Sequence, residues 1–160
     1  MKSEKLAIIA NFADLGELGA VHIPDLFQPR YASAMKSDGF RAAAEAKDFE
    51  SGRDLFAEDV VFRSPFVHKP YEGIDALGFL LGHVVQVFED FRYIAHVETG
   101  DVAVLQFEAR VGDRELQGVD ILKFNDDGKI SEMTVMVRPA SGLEALGQEM
   151  GRRIEAATAS

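Results

Sequence analysis

"GVDILKFNDDGKI", Gly118–Ile130, holds the two signals from which the fold can be read. Its first half alternates. Gly118, Asp120, Leu122 and Phe124 fall on one side of an extended chain, and Val119, Ile121 and Lys123 fall on the other. Its second half is turn chemistry, because "DG" at Asp127–Gly128 supplies a residue that tolerates positive φ where a hairpin reverses. A strand running into a tight turn is the reading. Asp120 is the anomaly, since it shares a side with Leu122 and Phe124 rather than with Lys123. Three roles stand open for it: facing water, being buried and paired for structure, or lining a cavity and doing chemistry.

Working outward, the same punctuation recurs. "FRYIAHVE", "VAVLQFEARV", "RELQGVDILKF" and "KISEMTVMVR" are separated by "TGD", "GDR" and "NDDG", which predicts an antiparallel meander of four strands. In the strand before Asp120, Ala103, Leu105, Phe107 and Ala109 share one apolar face. Val104, Gln106, Glu108 and Arg110 share the other. Upstream, "YEGIDALGFLLGHVVQVFEDF" places Leu77, Leu80, Leu81, Val84, Val87 and Phe88 at helical spacing. This predicts a long helix from about Ile74 to Phe88, with Gly78 and Gly82 permitting close approach to a surface. Asp75, His83, Gln86 and Asp90 fall on its polar side. "VVFRSPF" reads as a short strand ended by Pro65. "SDGFRAAAEAKDFESGRDLFAEDV" reads as two consecutive helices from Ser37 to about Glu58, with Ser37 or Asp38 as N-cap. "SGLEALGQEMGRRIEAATAS" carries Leu143, Leu146, Met150 and Ile154 at helical spacing and predicts a terminal helix.

Helices followed by a meander imply an α+β domain. The expected organisation is an N-terminal arm over 1–36, a domain over 37–155 and a frayed tail over 156–160. In the arm, "EKLAIIANFADL" sets Leu6, Ile9 and Phe12 on one helical side, and Pro24 and Pro29 then forbid a continuous helix. Leu26, Phe27 and Tyr31 give it apolar surface for docking on the domain or on a second subunit.

Composition narrows the function. The 160 residues fit one domain and can enclose a core. A formal net charge of −10 argues against nucleic acid and anionic membranes as partners. No apolar run approaches the ~18 residues of a membrane span, and no signal peptide is evident, so a cytoplasmic location is the expectation. Without cysteine there is no disulfide, thiolate nucleophile or zinc–thiolate site. "NDDG" lacks the ligand spacing of a calcium loop, and no metal-protease, phosphate-loop or dinucleotide signature is found. The expectation is no metal and no cofactor.

Taken in order, "DGFRAAAEAKDFE", "DLFAEDVVFRSP", "YEGIDALGFLL" and "GVDILKFNDDGKISEM" resemble the nuclear transport factor 2-like superfamily, within it the SnoaL-like and ketosteroid-isomerase-like groups. The resemblance spans Ser37 to Arg138. It implies a cone-like, cystatin-like fold: a bent antiparallel sheet wrapped around a long helix, a deep apolar cavity, and often a dimer through the outer sheet face. It also implies residue roles. Asp120 stands where the steroid isomerases carry an acid that donates to the substrate oxyanion. Ser64, before Pro65, stands where they carry the catalytic aspartate base. Phe40 stands in place of their first-helix tyrosine. A serine hydroxyl cannot unaided remove a proton from carbon, because its own pKa is far too high. Isomerisation by that mechanism is therefore not expected.

The predicted site has Asp120 as acid or hydrogen-bond donor, its charged form disfavoured on an apolar face. Phe62, Ser64, Tyr71, Leu105, Phe107, Leu122, Met133 and Val135 are expected around a small apolar or carbonyl-bearing ligand. Two functions remain open: an isomerase-, cyclase- or hydratase-type enzyme, or a non-catalytic module that binds without turnover or serves as a dimeric scaffold. A homodimer is expected, because Val104, Val119 and Ile121 would otherwise be exposed together. His68 reads as a solvated loop residue, His83 as exposed, and His96 as a surface residue.

Overall fold

In a computed structural model, which describes residues 34–159, the chain runs through α1 (Asp38–Glu45), α2 (Phe49–Gly52) and a single 3-10 turn over Arg53–Leu55. There follow β1 (Phe56–Arg63), β2 (Tyr71–Glu72), α3 (Ile74–Val87), β3 (Glu89–Thr99), β4 (Val102–Val111), β5 (Arg114–Phe124), β6 (Ile130–Arg138) and α4 (Ala140–Thr158). The readings placed on residues 1–33, including the arm's helix and its docking residues, lie outside the described residues. The described residues belong to one unit that begins at Ala34.

The strands form a single sheet in the order β2-β1-β6-β5-β4-β3. The meander β3–β6 is antiparallel, and only the β1–β6 pairing is parallel. The turn after β5 closes as its residues dictate. Asn125 Oδ1 accepts from the amides of Asp127 (3.1 Å) and Lys129 (2.9 Å), while Gly128 takes φ +73°.

Alternation sorts the strands as expected. Leu116, Gly118, Asp120, Leu122 and Phe124 of β5, with Ala103, Leu105, Phe107 and Ala109 of β4, are buried on the inner face. Leu77 and Leu81 of α3 and Leu146 of α4 join them in one core. Each buried Leu or Phe among them contributes roughly 1.5–3 kcal/mol by leaving water. The outer face has no such cover among the described residues. Its central rows are Val97–Val104–Ile121–Thr134 and Ala95–Gln106–Val119–Met136.

Three local readings are corrected. "RDLFAED" is not helical to Glu58: β1 begins at Phe56, because Phe56 pairs with Ile130 and is buried with it. Ser37 precedes α1, but its side chain does not cap the helix and turns to the sheet instead. Gly78 meets Phe49 of α2 rather than the sheet, a Cβ there lying 3.0 Å from that ring, and Gly82 meets nothing within 4 Å.

Candidate functional site

A cavity of about 370 Å³ opens between the inner face of the sheet and α1, α3 and α4. Its wall is apolar and largely aromatic, with Phe40 from α1, Phe62 from β1, Phe88 and Phe91 at the α3–β3 junction, and Phe107 from β4. The ring of Phe107 fills the space over Gly118, where a Cβ would come within 2.3 Å of its Cζ and 2.7 Å of the Met136 carbonyl oxygen, so a larger residue does not fit there. Phe91 packs edge-on against Tyr93 with centroids 5.0 Å apart.

Asp120 borders this cavity and is 5 % exposed. Its one side-chain hydrogen bond comes from the hydroxyl of Tyr93, which donates to Oδ2 at 2.6 Å. No buried side-chain oxygen among the described residues is both shut off from space and without a partner. Oδ1 of Asp120, which has no partner among the described residues, therefore opens onto the cavity. No cation among the described residues pairs with the carboxyl. Burial pushes its pKa up to about 7, with the Tyr93 hydrogen bond pulling the other way. Burial and the neighbouring Asp120 likewise push the Tyr93 hydroxyl well above its ordinary value, so it remains a donor.

Of the residues expected at the site, Phe62, Ser64, Tyr71, Phe107, Met133 and Val135 border the cavity with Asp120. Leu105 and Leu122 do not. Both are fully buried, enclosed on the side where Ala103 and Leu105 pair with Glu98 and His96 of β3, beneath the start of α1. Ser64 Oγ accepts from the Phe66 amide at 3.2 Å, a turn contact beside Pro65. Among the described residues bordering the cavity, Asp120 is the sole carboxylic acid, and Lys47 is the sole cation. The Lys47 ammonium donates to the carbonyl oxygen of Phe88 at 2.5 Å, at the C-terminal end of α3. His68 is exposed and lies off the cavity, and His83 bonds back to the Phe79 carbonyl at 2.6 Å.

His96 is a correction. Its side chain is only 7 % exposed, and its Nε2 lies 2.7 Å from Ser37 Oγ. The cause is a register shift in β3 between Tyr93 and Ala95, which turns His96 and Glu98 to the inner face. Tyr93 itself was missed by sequence reasoning. The available signal was the alternation Phe91–Tyr93, which sets an aromatic hydroxyl on the apolar side of the strand two places from β5.

No three His, Cys, Asp or Glu side chains among the described residues come together as a metal-ligand set. None of the described helices is long and apolar enough to cross a membrane.

A family model for the SnoaL-like domain matches residues 38–133. A solved steroid Δ-isomerase from Pseudomonas aeruginosa is 44 % identical, with 78 % of this chain and 93 % of that one covered at a TM-score of 0.75. A protein with a cystatin-like fold from Silicibacter pomeroyi is 32 % identical, over 81 % of this chain and 90 % of its own, at a TM-score of 0.72. An NTF2-like protein of unknown function from Burkholderia xenovorans, 18 % identical over 68 % of this chain and 88 % of its own, at a TM-score of 0.57, shares the fold. No match is found among curated proteins.

Proposed function

The chain belongs to the SnoaL-like family of the nuclear transport factor 2-like superfamily, and we propose that within it this protein holds a small, mostly apolar, carbonyl-bearing molecule in the cavity. Asp120, in its neutral form, donates a hydrogen bond to the carbonyl oxygen. The observation that carries this is the placement of Asp120: a buried carboxyl on the wall of an apolar cavity, with one oxygen unused. A neutral acid in such a setting is a directional donor, and the apolar wall supplies the rest of the affinity. The cavity volume lies at the lower end of the ~300–1,000 Å³ range of ligand sites. The relative named as a steroid Δ-isomerase favours a ketone-bearing ligand.

Calorimetric titration of a steroid 3-ketone and of the matching hydrocarbon tests the reading. The wild type should prefer the ketone by about tenfold below pH 7, as one hydrogen bond of ~1–1.5 kcal/mol gives. Asp120→Leu should lose that preference. Equal affinity for both compounds in the wild type would overturn the proposal.

A second reading is enzymatic, favoured by an acid whose pKa of about 7 lets it give and take a proton near neutrality. One such group beside a carbonyl can promote enolisation. Exchange of the ketone's α-hydrogens in heavy water, measured by NMR, should be faster with wild type than with Asp120→Asn. Equal rates leave binding as the function.

The partner proposed for the outer face is a second copy of the chain. Val97, Val104, Ile121, Val119 and Met136 form an apolar centre. The flanking rows carry Lys123–Glu132 (2.7 Å) and Arg92–Glu108 (2.6 Å) ion pairs, the arrangement of core and polar rim that interfaces use. Sedimentation at tens of micromolar should give a dimer that Ile121→Lys dissociates. A wild-type monomer would sink this.

A further inference from the structure

Asp120 has two oxygens, and the protein treats them differently. Oδ2 receives the Tyr93 hydroxyl at 2.6 Å, and Oδ1 is left facing the cavity. Tyr93 cannot easily be diverted from this bond. It is 7 % exposed, its ring is held edge-on by Phe91 (5.0 Å) and Phe107 (6.3 Å), and its strand is fixed by pairing of Tyr93 with Phe107. Without the bond, a carboxyl is free to turn about its own torsion and present either oxygen.

We propose that Tyr93 is the positioning residue of this cavity: by holding Oδ2 of Asp120 it aims Oδ1 at the ligand's acceptor oxygen. The assignment rests on the ligand reading above and specifies which ligands that site favours. A single, fixed donor selects molecules with one acceptor oxygen at the end of an apolar body. A hydroxyl oxygen can accept from this donor too, but its own proton then needs an acceptor, which neutral Asp120 offers less well.

The surroundings make Tyr93 the group through which this donor is set. From α1, Arg41 and Glu45 act on Tyr93; they pair with each other at 3.3 Å, and Glu45 accepts from the Tyr93 amide at 3.4 Å. From the α1–α2 turn, Lys47 borders the cavity with its ammonium on the Phe88 carbonyl. From β1, β2 and their connection come Ser64 and Tyr71. α3, α4, β4 and β6 turn only apolar side chains to the cavity. Among the described residues, Tyr93 alone donates a side-chain hydrogen bond to the carboxyl. Its hydrogen bond favours the ionised form and thereby moderates the rise that burial causes. Removing the hydroxyl should therefore do two things of opposite sign. Donor aim is lost at low pH, and the pH at which Asp120 ionises moves upward.

The test uses 1-tetralone and its carbonyl-free counterpart tetralin as probes, titrated into the full chain from pH 5 to pH 9. In the wild type the preference for tetralone should be about tenfold at pH 5.5 and should fall with a midpoint near the Asp120 pKa of about 7. In Tyr93→Phe the preference at pH 5.5 should drop to about threefold, and the midpoint should move to higher pH. In Asp120→Asn the preference should lose its pH dependence. A purely structural Tyr93 would weaken tetralone and tetralin alike and leave the midpoint in place, which overturns the assignment. Unchanged preference and midpoint in Tyr93→Phe overturn it as well. If Tyr93→Phe does not fold, 3-fluorotyrosine at position 93 keeps the shape and strengthens the donor. The midpoint should then fall, and an unmoved midpoint refutes the idea. Failure of the ligand reading itself looks different: wild type and Asp120→Leu would bind tetralone equally at every pH.

Discussion

Tyr93–Asp120 and Ser37–His96–Glu98 both bury oxygen atoms against the inner face of the same sheet, a few residues apart along β3, yet they are furnished very differently. Glu98 accepts from the Lys36 amide (3.0 Å), the Ser37 amide (3.0 Å) and the Ser37 hydroxyl (2.5 Å), and Ser37 Oγ also meets His96. Asp120 accepts from Tyr93 alone. Hydrogen bonds and charge move with this difference. Burial by itself would raise Glu98, but the hydrogen bonds from Ser37 and Lys36 overcome it and hold the carboxyl below its ordinary value. At Asp120 burial prevails and the shift is upward. A saturated cluster is a fastening, here of the start of α1 to β3. An unsaturated one beside a cavity is a site with room for one more partner.

The largest effect expected from this contrast is in pH-dependent stability at Asp120. Its pKa is about 7 when folded and ~3.9 when unfolded. The folded pKa is raised, so the contribution is fully present below the unfolded value and is lost as pH rises through the folded one. The slope is ~1.4 kcal/mol per pH unit, roughly 4 kcal/mol in total. Asp120→Asn keeps the Tyr93 bond through its amide oxygen and removes the ionisation. Denaturant unfolding of both proteins should show wild type losing ground to Asp120→Asn between pH 4 and pH 7, and no further change above pH 8. A flat difference would mean that the carboxyl is charged in the fold, and the contrast with Glu98 would collapse.

Smaller, and opposite in sign, is the effect at Glu98. Its pKa is lowered in the fold, so its contribution is present above the unfolded value and is lost as pH falls through the folded one. Glu98→Ala leaves two amides and a buried hydroxyl without their acceptor and should cost about 2–3 kcal/mol at pH 7. Tetralone affinity should stay within twofold of wild type. An affinity loss matching that of Asp120→Leu would show that the two clusters act as one.

The contrast also marks what could be read from the sequence. Asp120 stood out because β5 alternates without interruption from Leu116 to Phe124, so one odd side chain in the inner row is visible. The turn at Asn125–Lys129 and the long helix were legible for the same reason: their signals are local. Tyr93 and the second cluster were not. The shift between Tyr93 and Ala95 breaks the alternation of β3, and a reader counting by twos places His96 on the wrong face. The partner of Asp120 lies 27 residues upstream, two strands away. Leu105 and Leu122 show the converse. Sharing the inner face placed them correctly in the core, but the helices decide which inner residues the cavity reaches.

The smallest expected effect is none at all, and it concerns a likeness that could mislead. Serine, histidine and carboxylate lie together in the second cluster, with Ser37 Oγ 2.7 Å from His96 Nε2 and Asp38 Oδ1 4.0 Å from His96 Nδ1. That is the cast of a nucleophilic triad. The direction of donation rules the role out. Ser37 has one hydroxyl proton, and the 2.5 Å contact to the Glu98 carboxylate claims it. His96 Nε2 must then carry its own hydrogen and donate it to Oγ. A histidine that donates to serine cannot also take the serine's proton, so no alkoxide is generated. Asp38 is too far from Nδ1 for a hydrogen bond, and its other oxygen accepts from the Met35 amide at 2.8 Å. Ser37 is moreover 0 % exposed and borders no part of the cavity. A serine-directed fluorophosphonate incubated with the folded protein at pH 8 should give no adduct by intact-mass spectrometry. A stoichiometric adduct that disappears in Ser37→Ala would make this cluster a reactive site and reverse the distinction between fastening and site.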